Sequence, residues 1–185
     1  MRLFVATKPP ENFLKELICA QEYLRKEFSA KVNLVKPENI HITYAFIGDV
    51  RSFKCVEIIE KMKTEKYESF PIFAGNFGKF PLKGEPKIIW LGIGKGADKL
   101  VGMAEKLRRA LANEGFILKN KFSPHITLGR VRREGISVIK LNEVFNRVSM
   151  EIDRSLKFNI RNMELFQSVL TPQGPLYKSL YKIEL

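Results

Sequence analysis

The chain reads as an α+β protein in which one plan is used twice. It predicts two pseudo-twofold-related lobes, each an antiparallel-rich sheet with helices on its outer face, and a cleft between the sheets. Three observations predict this. Short β-rich runs and amphipathic helical patterns follow each other in the same order twice. The tripeptide His41-Ile42-Thr43 returns as His125-Ile126-Thr127, 84 positions later, and these are the only 2 histidines of the chain. No low-complexity linker separates the halves, so the 185 residues form a single bilobal domain. Its halves cover about 1–80 and 86–170, with a C-terminal strand over 176–185.

The elements follow in order. RLFVAT (2–7) and KIIWLGI (87–93) are β-rich runs, and each precedes an amphipathic helix. In the first helix Phe13, Leu14, Leu17, Ile18, Leu24 and Phe28 share a stripe; in the second, Leu100, Met103, Ala104, Leu107 and Leu111 do. The strands NIHITYAFIG and SPHITLGRV come next. Shorter helices start near 52 and 137, with apolar positions Val56, Ile59 and Met62 in one and Leu141, Val144, Phe145 and Val148 in the other. Each half then returns in strand, through SFPIFAGNFGKF and SLKFNIRNMELFQSVL. Pro172 and Gly174 in TPQG set a reversal into the last strand.

Strand parity places the tripeptides. Side chains alternate faces, so His41, Thr43 and Ala45 share one face while Ile42, Tyr44 and Phe46 share the other, the face to cover with helices. The same rule joins His125 to Thr127, opposite Ile126 and Leu128. Two helix-free faces set against each other would bring four polar side chains into one cleft. Trp90, preceded by Ile88 and Ile89, reads as core. The glycine-rich LGIGKGADK (91–99) lacks the Gly-Lys-Ser/Thr ending of a phosphate loop and the spacing of a dinucleotide fingerprint, so it reads as a loop capping a helix.

Bulk properties narrow the function. Lys and Arg number 32 against 20 Asp and Glu, a formal charge of +12 that favours a polyanionic partner such as nucleic acid. No run approaches a membrane span, and the opening apolar run is too short for a signal-peptide core. Cys19 and Cys55 are isolated, on the apolar side of helical patterns, and read as reduced core residues of a cytoplasmic protein.

Two histidines with threonines suit in-line attack at phosphorus. A neutral imidazole removes a proton from the attacking hydroxyl or water, and a protonated one gives a proton to the leaving oxygen. Each threonine lies on the same strand face about 7 Å along and offers its hydroxyl to a non-bridging phosphate oxygen. Two imidazoles expel an alkoxide readily only from a strained ester, which a five-membered cyclic phosphate is. Zinc is disfavoured because two histidines fall short of its ligand set. A serine hydrolase is disfavoured because no Gly-x-Ser-x-Gly elbow exists.

These residues resemble the 2H phosphoesterases, named for two His-x-Thr motifs, and most closely their RNA 2′,3′-cyclic phosphodiesterase (2′-5′ RNA ligase) branch. The likeness runs through RLFVAT…PP, VKPENIHITYAFIGDV, FSPHITLGRV and LFQSVLTPQGPLYKSLYKIEL. It implies a two-lobed α+β fold and the opening of a 2′,3′-cyclic phosphate at an RNA end to a 2′-phosphomonoester. It further implies His41 as proton donor to O3′, His125 as the base that activates water, and Thr43 and Thr127 as phosphate holders. Arg130, beside the second motif, is similar to an arginine placed near the phosphate in that family. Strict alternation turns it away from His125, but a twist or bulge at Gly129 would bring it round. Tyr177 lies in a segment typical of the family and is a cleft-lining candidate, with a plain hairpin tyrosine as the alternative. The chain departs from the branch in carrying Tyr44 where leucine is common; parity sends Tyr44 to the helix side.

The implied partner is RNA with 2′,3′-cyclic phosphate ends, tRNA fragments among them, with no cofactor, metal, membrane or obligate protein partner. The basic runs GRVRRE (129–134) and EKLRRAL (105–111) are candidate RNA guides or solvated faces. Two other readings keep the site: a phosphodiesterase of a small cyclic nucleotide or cyclic ADP-ribose phosphate, and a non-catalytic RNA-end-binding module. The two titrating groups argue against the last.

Overall fold

A computed structural model describes residues 1–118, 121–132, 135–153 and 155–185. The first run of elements is β1 (Arg2–Thr7), α1 (Glu11–Phe28), β2 (Val32–Leu34), β3 (Ile42–Asp49), α2 (Lys54–Thr64) and β4 (Phe70–Phe80). The second is β5 (Ile88–Ile93), α3 (Ala97–Asn113), β6 (His125–Val131), α4 (Val138–Glu151), β7 (Lys157–Ile160), β8 (Asn162–Thr171) and β9 (Gly174–Glu184). The segment read as one returning strand is thus two, broken at Arg161. The sequence reading also had no β2, whose three residues are too few to show alternation.

The strands form two sheets ordered β3-β1-β8-β9 and β2-β6-β5-β4-β7, all of whose neighbours run antiparallel. β4 closes against β5 of the second run, and β8 closes against β1 of the first. The helices cover one face of each sheet. α3 packs on β3 and against α2, while α1 packs on β2 and β6 and against α4. Glu27 of α1 ties the last pair together through Arg147 at 2.7 Å and Lys140 at 3.1 Å.

One continuous apolar core fills the space between helices and sheets. It takes Leu3 and Val5 from β1, Ile42, Tyr44 and Ala45 from β3, Ile89 and Leu91 from β5, and Ile126 and Leu128 from β6. All five stripe residues expected in α3, and all four in α4, are buried. α1 buries Phe13, Leu17, Ala20, Gln21, Leu24 and Phe28, which leaves Cys19 exposed, not in the core. Cys19 stands two positions from Leu17, about 200° round the helix. For the same reason Val56 is exposed and Ile58 is buried with Met62 in α2. Gly96 caps α3 at φ 88°, and a Cβ there would meet Pro71 O at 2.5 Å. The glycine-rich segment is therefore a loop and cap, as its sequence suggests. Among the described residues, no helix is long and apolar enough to cross a membrane.

Candidate active site

The helix-free faces of the two sheets bound a cleft of about 420 Å³. His41, Thr43, His125, Thr127, Arg130 and Tyr177 all line it. The four-stranded sheet supplies a floor of Phe4, Ala6 and Phe166, with Tyr177 packed against them. No carboxylate lines the cleft among the described residues, whereas Lys36 and Arg130 do, so the site suits an anion.

The two histidines are held alike. His41 Nδ1–H donates to Asn39 O at 2.6 Å, and His125 Nδ1–H donates to Ser123 O at 2.7 Å. In each case the acceptor is the carbonyl two residues earlier. A carbonyl only accepts, so Nδ1 carries the hydrogen and the neutral ring keeps its lone pair on Nε2. The surroundings differ. His41 lies between Phe4, with ring centroids 5.0 Å apart, and Tyr177, edge-on at 5.3 Å. His125 meets Phe80 edge-on at 5.1 Å and Trp90 at 6.3 Å. Trp90 therefore belongs to the cleft-side face beside His125, not to the core. It is opposite Thr127 in the ladder, and its ring covers Gly78, where a Cβ would come within 2.2 Å of it.

Both imidazoles are poor proton holders in the empty cleft. Burial pushes His41 down to about 4, helped by the positive charges of Lys8, His125 and Arg130 and opposed by the Asn39 carbonyl. Burial also lowers His125, with Arg130 adding to the effect and the Ser123 carbonyl opposing it. Burial raises the Tyr177 phenol, while Arg130 and Arg2 act the other way.

A bulge in each His-x-Thr strand decides what else reaches the cleft. In β6, Ile89 pairs with Gly129 and Trp90 with Thr127, so Leu128 is the extra residue. Leu128 and Gly129 then both stand opposite Ile89, and Arg130 comes round to the side of His125 as a bulge near Gly129 would require. Gly129 is needed there, because a Cβ would lie 2.7 Å from Val32 Cγ1. In β3, Val5 pairs with Ala45 and Ala6 with Thr43, which makes Tyr44 the extra residue. The parity reading fails past this point. Ala45 joins Tyr44 in the core, and Phe46 turns into the cleft, where it lines the wall at 46% exposure with Arg2 5.6 Å from its ring. Tyr44 itself is buried as expected, its hydroxyl donating to Thr7 Oγ1 at 2.7 Å.

Other lining residues escaped the sequence reading: Asn33, Lys36, Asn39, Ser168 and Gln173 among them. Asn39 had a detectable signal, since it stands two positions before one histidine as Ser123 does before the other. Of the GRVRRE run, Arg132 donates to Asn33 Oδ1 at 2.9 Å, while Arg133 and Glu134 lie outside the described residues. No residue of EKLRRAL, on α3, lines the cleft.

The family described as LigT like Phosphoesterase matches residues 8–90 and again 92–177, one His-x-Thr pair in each segment. The chain belongs to this family. Among curated relatives, an RNA 2′,3′-cyclic phosphodiesterase of Archaeoglobus fulgidus is 32% identical, covering 100% of both chains. One from Thermotoga maritima is 33% identical, covering 100% of this chain and 95% of its own. The LigT-like fold recurs in solved structures. A protein of Thermus thermophilus superposes with a TM-score of 0.83 at 24% identity, covering 100% of this chain and 98% of its own. Escherichia coli LigT in apo form gives 0.75 at 22% identity, with 99% and 96% covered.

Proposed function

We propose that this LigT-like phosphoesterase hydrolyses RNA 2′,3′-cyclic phosphate ends to 2′-phosphomonoesters by acid–base catalysis between His41 and His125, acting in the cytoplasm on RNA ends such as those of tRNA fragments. The observation that carries the reading is the pair of imidazoles in one carboxylate-free cleft, each with Nδ1–H tied to a carbonyl and Nε2 left for substrate. His125 Nε2 takes a proton from water, the water oxygen bonds to phosphorus, and the P–O3′ bond breaks as His41 gives its Nε2 proton to O3′. Thr43 and Thr127 donate to non-bridging oxygens, and Arg130 neutralises the growing charge. Phe46 offers an exposed ring on which the base of the terminal nucleotide stacks. Tyr177 packs on His41 and fixes the plane of its ring. When a 5′-hydroxyl replaces water, the product is a 2′-5′ linkage. The equal spacing of the motifs and the double family match support a duplicated ancestry, in which each copy lends one strand to the other's sheet.

The test is an oligonucleotide with a 2′,3′-cyclic phosphate, incubated with EDTA and read by phosphorus NMR. A 2′-phosphate product is expected; a 3′-phosphate, or loss of activity with the chelator, overturns the mechanism. A cyclic mononucleotide run in parallel distinguishes an RNA enzyme, which prefers the oligonucleotide, from a phosphodiesterase of small cyclic nucleotides.

A further inference from the structure

Arg130 reaches the cleft only because β6 bulges at Leu128, and that bulge is held from outside its sheet. Gln21, in α1, is 3% exposed in a helix whose other buried positions are apolar. Its Nε2 gives one hydrogen to Leu128 O at 2.8 Å and the other to Val35 O at 2.8 Å. Leu128 O also accepts from Val35 N at 2.9 Å. One side-chain amide thus clamps the extra residue of the bulge to the end of β2, whose neighbours Asn33, Leu34 and Lys36 line the cleft wall with Arg130. Burying a primary amide in an apolar helix face is costly unless both its hydrogens find acceptors, as they do here. The arrangement is confined to the half that carries Arg130. The position 84 residues on from Gln21 is Glu105, exposed on α3, and the bulge of β3 presents Phe46 instead of an arginine.

We propose that Gln21 is a positioning residue: by clamping the Leu128 bulge it holds the Arg130 guanidinium in the cleft for the substrate phosphate. The proposal rests on the phosphate-site reading given above. Without the amide, β6 loses the contact that favours the bulge over regular alternation, and regular alternation points Arg130 away from His125. The probe is inorganic phosphate, titrated into the protein while the ring signals of its two histidines are followed by NMR. Gln21→Met keeps the length of the side chain and removes both donors. It should weaken phosphate binding roughly tenfold, the worth of one charge-assisted contact, as should Arg130→Ala. The double variant should be no weaker than Arg130→Ala alone. The His125 titration should move up in both single variants, because the guanidinium beside it is gone. Should Gln21→Met fail to fold, Gln21→Asn, whose amide falls one methylene short of the carbonyls, is read in the same way. Multiplicative losses in the double variant would overturn the proposal. So would a Gln21 variant that melts earlier yet keeps both its phosphate affinity and its His125 titration. Neither measurement uses turnover, so failure of the proposed hydrolysis would show separately in the oligonucleotide assay.

Discussion

At the scale of the residue, the two histidines are equivalent in sequence and in their backbone tether but not in their electrostatics. The charges of Lys8 and Arg130 press on His41, the group proposed to hold a proton. A strongly depressed imidazole is scarce in its acid form at neutral pH but transfers its proton readily. Both groups titrate below their ordinary value, so kcat/KM should rise and fall on the acid side of about 6.5. It falls at low pH as His125 gains a proton, and at higher pH as His41 loses one. Lys8→Ala removes one of the depressing charges and should move the alkaline limb up; an unmoved limb would contradict the assignment. His41→Ala and His125→Ala should each lower kcat by about 10²–10⁴-fold, checked in single turnover with folding monitored by circular dichroism. Most of this site was legible. His41, Thr43, His125 and Thr127 follow from the repeated tripeptide, and the Arg130 turn was foreseeable because glycine follows Leu128. Phe46 was not, since one extra residue in a strand reverses the parity of all that follow it, and nothing in NIHITYAFIG marks where that residue falls.

At the scale of the element, the cleft wall is assembled by ties between segments far apart in sequence. Asn39 is buried, and its Nδ2 donates to Pro175 O at 2.8 Å, while its own carbonyl holds His41. The hairpin of β8 and β9, which carries Ser168, Gln173 and Tyr177 into the cleft, is pinned by the same residue that orients an imidazole. Asn39→Leu keeps the backbone carbonyl and removes the tie. It should lower kcat several-fold and speed amide hydrogen exchange in the hairpin, at Leu176 above all, while the α3 amides stay protected. Unchanged exchange at Leu176 would mean that the tie does not restrain the hairpin. Helices were legible from their stripes because a 3.6-residue period survives small errors of phase. Cys19 and Val56 fell on the wrong side because each lies at the margin of a stripe. The Asn39 and Gln21 bonds left no trace in the sequence, since both end on backbone carbonyls that any residue would supply.

At the scale of the whole molecule, the net charge of +12 gives long-range attraction to RNA on top of the cleft's own Arg130 and Lys36. The logarithm of the oligonucleotide association constant should fall linearly with the logarithm of salt concentration, with a slope set by the number of phosphates contacted. A flat dependence would confine recognition to the terminal phosphate. The crossing of β4 and β8 was the part least visible beforehand, because strand order in a sheet is decided by contacts between distant segments and not by the local pattern of either run. That crossing governs how the molecule comes apart. Neither run of elements owns a complete sheet, and a single apolar core joins them. Unfolding one half therefore strips a central strand out of the other. Heating should give one calorimetric transition whose measured enthalpy equals the van't Hoff value. Two resolved melting steps would show that the halves can part. Separately made 1–84 and 85–185 segments should each remain largely unstructured and regain order only when mixed, since each holds the strand that the other's sheet lacks.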